Sequence, residues 1–193
     1  MNKVTLLCGS RKPAPGVDRP SSSRELLRAV VAGIEDVGTD HTSLDLRDLD
    51  LPQFDGRNPG EYECADLDLV RKSIDATDVL VISVPAYWGC ASGPLINLFN
   101  VLGGANYDHV DTGPGPLGGL VAMLVTVGAD EASAYLGAAQ MRGLLGFMGA
   151  WVAPCEVTIG NPRRVGRISD VVRSLRELGK YAATVVIPGG QRR

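Results

Sequence analysis

Five short apolar runs, each followed by a segment of helical length, constrain this 193-residue chain more than anything else in it. VTLLC (4–8), TSLDL (42–46), VLVISV (79–84), LVAMLVTV (120–127) and WVAPCEVTI (151–159) read as strands. Three of these runs are continuously apolar, as strands covered on both faces are. Residues 24–36, 65–76, 94–102, 131–148 and 169–185 have amphipathic helical spacing. Pro94 suits the first turn of a helix, and Asp78 and Ser169 suit boundaries. Five β-then-α units predict an open parallel sheet with helices on both faces. The Gly/Pro-rich segment 111–119 is expected to be a surface loop rather than a linker, because the halves on either side are too small for separate cores. One domain over residues 1–193 is therefore expected.

In such a sheet a ligand sits beyond the carboxyl ends of the strands, at the switch point in strand order. Loops leave such ends after Cys8, Val84 and Val127, and all three are rich in small or special residues. The first runs through Gly9-Ser10-Arg11 to the hydroxyl cluster Ser21, Ser22, Ser23 at the start of a helix. Gly9 permits a tight turn, the serines offer hydroxyl donors, the first helical N–H groups point the same way, and Arg11 adds a charge-assisted bond. The combination is suited to a phosphate group. Taken alone, a serine run more often only caps a helix; the strand before it and the order of the later elements favour the phosphate. The second loop carries Pro85, Ala86, Tyr87, Trp88 and Gly89, and its two aromatic rings suit stacking on a flat heteroaromatic ligand. Packing on the helix behind, or a subunit contact, is the competing use of Trp88. The third loop, Thr126 to Glu131, is an ordinary small-residue connection when taken alone.

Charge and cysteine usage exclude several classes. A net charge of −3 with a pI near 5.4 argues against a nucleic-acid surface, and Arg163, Arg164, Arg192 and Arg193 read as solvated surface and tail. Cys8, Cys64, Cys90 and Cys155 form no CxxC pair and have no His cluster beside them, so neither zinc nor an iron–sulfur cluster has its usual ligand spacing. Cys8 and Cys155 are expected to be core residues. No run is long enough for a membrane span or a signal peptide, so a cytoplasmic protein is expected. His41 and His109 read as surface residues, and Asp45, Asp48 and Asp50 as a solvated strand edge and turn.

These residues together resemble the NADPH-dependent FMN reductase family of flavodoxin-like quinone, azo-dye and flavin reductases. The family's phosphate loop, GSxR followed by S-x-N-R-x-L, appears as Gly9-Ser10-Arg11 and Ser21-Ser22-Ser23-Arg24-Glu25-Leu26. Its LPxFDG element is Leu51 to Gly56. Its second loop, SPEYxGxxSGxLKNxLD, corresponds to Ser83 to Asn100, with Pro85, Tyr87, Gly89, Ser92, Gly93, Leu95 and Asn97 retained. Ala86 stands for a Glu, Ile96 for the Lys, Asn100 for the Asp, and Ser23 where Asn is frequent; the first loop is also longer, through Lys12 to Pro20.

The resemblance implies a flavodoxin-like, five-stranded sheet of order 2-1-3-4-5. It implies FMN, with its phosphate at Ser10, Arg11, Ser21, Ser22 and Ser23 and its ring lined by residues 85–89, Thr126 and Gly128. NADPH or NADH would be co-substrate, and a quinone, flavin, azo or nitro compound or specialised metabolite the acceptor, in ping-pong turnover. No catalytic side chain and no metal is implied, since the flavin supplies the redox chemistry. No GxGxxG pattern marks a second dinucleotide site. A flavodoxin-type electron carrier and a non-catalytic flavin-binding module are the rivals; carriers tend to be strongly acidic, which this chain is not. The apolar residues of helices 94–102 and 131–148 exceed one buried stripe, which suggests a homodimer or homotetramer.

Overall fold

β1 (Val4–Cys8), β2 (His41–Asp45), β3 (Val79–Tyr87), β5 (Val121–Gly128) and β6 (Trp151–Gly160) form a sheet of order β2-β1-β3-β5-β6. A two-residue strand, β4 (Cys90–Ala91), folds back antiparallel on β3. All the other pairings are parallel, with Val4 opposite both His41 and Val79. The computed structural model describes residues 1–12, 21–105, 115–164 and 166–187. The expectations placed on Lys12 to Pro20 beyond Lys12 itself, on His109, on 111–114 and on Arg192 and Arg193 fall outside these.

The helices are α1 (Ser22–Glu35), α2 (Ala65–Asp75), α3 (Gly93–Gly103), α4 (Glu131–Phe147) and α5 (Arg167–Thr184). Alternation along the strands divides the core. Val4, Leu6, Cys8, Val79 and Val81 face α1 and α5, while Leu7, Leu80, Ile82 and Val84 face α2, α3 and α4. The sheet is thus covered on both faces, and its order reverses between β1 and β3. That is the switch point at which the carboxyl ends of the strands open a crevice.

Two differences from the sequence expectations have clear causes. β3 extends past Val84 to Tyr87 because Pro85 and Ala86 still pair with β5 or β4, and the hairpin continues the ladder. β6 is a strand as expected over 151–159, and it holds Pro154 without disrupting the sheet because the register with β5 shifts between Ala122 and Leu124 and Pro154 is exposed. A proline, lacking an N–H, is tolerated at such a bulge on an edge strand.

The second difference is α3, whose apolar excess is absorbed within the chain. Leu95, Leu98, Phe99, Val101 and Leu102 are all buried, with Leu51 and Phe54 packed against the same cluster. Asn97 fixes that cover: its Oδ1 accepts from the Phe54 N–H at 2.9 Å, and its Nδ2 donates to the Pro52 carbonyl at 2.8 Å. The LPxFDG segment therefore covers α3, and the helix's largest apolar side chains are buried within the chain.

Candidate functional site

The crevice at the switch point is a cavity of about 770 Å³, within the usual range of small-molecule sites. Four loops enclose it, from the carboxyl ends of β1, β3, β5 and β6.

The β1 loop provides a polar end. Ser10, Lys12, Ser21, Ser22 and Ser23 line it. Ser21 is the N-cap of α1, with its Oγ accepting from the Arg24 N–H at 3.3 Å. That accounts for one first-turn donor; by position, the N–H groups of Ser22 and Ser23 have no acceptor within the helix. The capping role and the cavity-lining role fall on the same residues. Gly9 lies so close to β3 that a Cβ there would meet the Ser83 carbonyl oxygen at 2.7 Å. Its N–H donates to that oxygen at 3.0 Å, and Ser92 Oγ donates to its carbonyl at 2.8 Å.

Arg24 braces this loop from outside the cavity. Its Nε and Nη2 donate to the two carboxylate oxygens of Asp45 at 2.6 and 3.0 Å. Nη1 also reaches the Lys12 carbonyl at 3.3 Å, and Nη2 the Ser10 carbonyl at 3.4 Å. The bidentate bond to Asp45 holds the guanidinium charged even more firmly than usual. Asp45 is thus a partner of the loop rather than a solvated strand edge. Asp48, which is exposed, pairs with Arg47, and Asp50 donates its backbone N–H to Asp66 Oδ2 at 2.7 Å.

The β3 loop forms the aromatic wall. Pro85, Ala86, Tyr87, Trp88 and Gly89 all line the cavity. Trp88 and Gly89 sit between the paired residues Tyr87 and Cys90 with φ of +56° and +78°, the φ pattern of a type I′ hairpin turn. Gly89 meets this at no steric penalty, whereas a non-glycine residue in this region costs about 1–3 kcal/mol. The hairpin is tied to α4 at two points: the Gly89 N–H donates to Ser133 Oγ at 3.1 Å and the Ala91 N–H to Gln140 Oε1 at 2.8 Å. Tyr87 is half-buried, which raises its phenol pKa, and Lys12 Nζ lies 5.6 Å from its ring centroid. Trp88 is fully exposed, at 101%.

From β5 come Val127, Gly128, Ala129 and Asp130, the last capping α4 by accepting from the Ser133 N–H at 2.7 Å. The β6 loop adds Asn161, Pro162 and Arg163. Asn161 has φ +48°; its N–H donates to the Gly128 carbonyl at 3.1 Å, and its own carbonyl accepts from the Arg164 N–H at 3.1 Å.

Of the residues the sequence singled out, Ser10, Ser21, Ser22, Ser23, Pro85, Ala86, Tyr87, Trp88, Gly89 and Gly128 come together in this one cavity. Two do not line it. Arg11 lines a smaller cleft of about 210 Å³ beside Leu46, Leu51 and Asn97. Thr126 is wholly buried behind the wall, opposite Thr158 in register, and among the described residues the hydroxyls of both lack a partner. Lys12, Asp130, Ser133, Leu136 and Asn161 line the cavity without having been assigned to a site, and Arg163 lines it although the sequence placed it on the solvated surface. Applying the carboxyl-end rule to β6 as well would have found Asn161 and Arg163. Ser133 and Leu136, on a helix face, carry no sequence signal.

Burial raises the Cys8 thiol to about 11, and Cys155 is half-buried with its thiol also shifted upward by burial. Among the described residues no group of His, Cys, Asp and Glu could hold a metal ion, and no helix is long and apolar enough to cross a membrane.

The model of the NADPH-dependent FMN reductase family matches residues 2–163, a stretch that contains all four loops of the cavity. The chain belongs to that family. It is accordingly an NAD(P)H-dependent oxidoreductase that uses FMN, of the flavin, quinone and azo reductase type. No curated protein sequence matches it. Among solved structures, an NAD(P)H:quinone oxidoreductase from Methanothermobacter marburgensis has a TM-score of 0.72 at 18% identity, over 96% of this chain and 98% of that one. An azoreductase from Bacillus anthracis str. Sterne has a TM-score of 0.65 at 18% identity, over 95% and 99%. A flavodoxin from Pseudomonas aeruginosa gives 0.59 at 18% identity, over 94% and 99%. At these identities the likeness is one of fold, which is flavodoxin-like.

Proposed function

We propose that this chain binds FMN in the cavity and that NAD(P)H and a small electron acceptor occupy the same open side of it by turns, in a ping-pong cycle. The observation that carries the reading is the convergence of a hydroxyl- and N–H-rich helix start with an aromatic hairpin and small-residue walls at the switch point of the sheet. The donor set fits the cofactor. Ser10, Ser21, Ser22, Ser23, Lys12 and the first turn of α1 suit its phosphate, and Ala86, Val127 and Gly128 leave room for a flat ring beside Tyr87. Bound FMN supplies the capacity to accept a hydride and to pass electrons on.

The protein's part is to bind, orient and shield. The β1 loop fixes the phosphate end, and the β3 hairpin and β5 turn set the plane of the ring. Neither task needs a proton-transferring side chain. The acceptor classes are quinones, free flavins, azo and nitro compounds and related metabolites. Assembly as a homodimer or homotetramer is part of the proposal, supported by the exposed apolar side chains Tyr135, Leu136, Phe147 and Trp151. Sustained NADPH oxidation coupled to a quinone, with parallel double-reciprocal lines, tests turnover and mechanism together. Intersecting lines would contradict ping-pong, and single turnover only with a protein partner would favour an electron carrier.

A further inference from the structure

Two side chains of the cavity are given no individual cofactor contact in the reading above. The first is Trp88. It is the largest apolar side chain the cavity exposes, it is entirely open to solvent, and its backbone sits where L residues are disfavoured. An asparagine would satisfy the same turn with less strain and no exposed apolar surface. The hairpin beneath is rigid, held by Ser133 and Gln140 and underlaid by Leu136, whose Cδ1 lies 3.1 Å from where a Gly89 Cβ would stand. Trp88 is thus an exposed aromatic on a fixed support among the residues that line the cavity.

The second is Arg163. It lines the same cavity, and among the described residues no acidic side chain pairs with it. Its loop is fixed by Asn161, which anchors to the β5 turn. Strand order separates the two cationic side chains that line the cavity among the described residues. Lys12 belongs to the β1 loop with the serine cluster, while Arg163 lies beyond β5, on the opposite flank of the hairpin. The phosphate end therefore has its own cation, and Arg163 remains for another anion.

We propose that Trp88 and Arg163 form a subsite for a planar aromatic acceptor that carries an acidic group, the indole stacking on the ring and the guanidinium pairing with the anion. This rests on the reading that the FMN-loaded protein passes electrons to small acceptors. It adds which of those acceptors the cavity selects. It also gives a use to an arginine that the sequence alone placed on the solvated surface.

The test uses the FMN-loaded protein with 1,2-naphthoquinone and its 4-sulfonate. With NADPH as donor, Arg163→Gln is expected to lower the sulfonate-to-neutral ratio of kcat/KM about tenfold. Trp88→Leu is expected to lower kcat/KM for both quinones, and Trp88→Phe to restore much of it. Binding is read separately, without donor or turnover. In a Trp151→Phe background Trp88 is the sole tryptophan, and the sulfonate should quench its emission saturably, with weaker binding in Arg163→Gln.

An unchanged quinone ratio in Arg163→Gln overturns the proposal. So does a collapse of the NADPH-to-NADH preference in that variant with the quinone ratio intact, since the arginine would then serve the donor. Failure of the wild type to reduce either quinone counts against the oxidoreductase reading. The quenching arm still decides the subsite in that case: absent quenching, or equal affinity in Arg163→Gln, refutes it.

Discussion

Arg24 and Asp45 are joined by a two-pronged bond, Nε to Oδ2 at 2.6 Å and Nη2 to Oδ1 at 3.0 Å, that links the helix start to the second strand beneath the β1 loop, the proposed phosphate site. Because the same guanidinium also binds the carbonyls of Ser10 and Lys12, the pair sets the shape of the loop. Asp45→Asn is expected to raise the FMN dissociation constant about tenfold, given that hydrogen bonds to charged groups contribute about 1.5–3 kcal/mol. Riboflavin affinity should change little. The double replacement Arg24→Met with Asp45→Leu separates shape from stability. It should recover much of the melting temperature, as apolar replacements of partly buried ion pairs do, while FMN affinity stays low. Equal losses for FMN and riboflavin would show the pair to be only structural.

Arg11 gives the converse expectation. It lines the cleft beside Leu46 and Asn97, away from the serine cluster. Arg11→Ala should leave FMN affinity within about twofold, whereas Ser10→Ala with Ser23→Ala should weaken it by about 1–3 kcal/mol through lost hydroxyl donors. Titration of the apoprotein with FMN measures both, and a large loss in Arg11→Ala would restore that arginine to the phosphate.

The hairpin should behave differently from the phosphate loop. Gln140→Ala removes the acceptor for the Ala91 N–H, and Ser133→Ala the one for the Gly89 N–H. Either change loosens the aromatic wall without touching the phosphate end. FMN and riboflavin affinities should therefore fall in parallel, by about 0.5–1.5 kcal/mol for each neutral bond. A loss confined to FMN would contradict this division of labour.

These contrasts also show which parts of the site were legible in the chain. The β–α alternation and the glycine and serine signals were local, so the parallel sheet and most of the cavity could be read from sequence, while the strand order came with the family resemblance. Arg11 could not be placed, because the direction a loop side chain takes depends on what the loop packs against, here Ser83 and Leu95 around Gly9. Asp45 alternates with apolar residues like any edge-strand carboxylate, and only the fold brings Arg24 beside it. The apolar excess of α3 suggested a partner because the LPxFDG segment that covers it lies some forty residues earlier in the chain, held by Asn97. Arg163 looked like solvated surface because a charged pair after a strand says nothing of the cavity beside it.

The cysteines allow a pH test with a definite sign. Burial raises Cys8 from an ordinary value of 9.0 to about 11, so the folded state holds this proton more tightly than the unfolded one. That contribution to stability is complete below pH 9.0 and is lost as pH rises toward about 11. Urea midpoints should accordingly fall more between pH 9 and 10.5 in the wild type than in Cys8→Ala. At pH 8, iodoacetamide should modify the exposed Cys90 and spare the buried Cys8. Superimposable pH profiles for the two proteins, or rapid labelling of Cys8, would contradict this account.

The most direct test of the central claim is the visible spectrum of the purified protein, recorded anaerobically after loading with FMN and then with one equivalent of NADPH. The account predicts one bound flavin per chain, bleaching of its absorbance near 450 nm by NADPH, and recovery when a quinone is added. A protein that retains no FMN, or whose flavin absorbance is unchanged by NADPH, would contradict it.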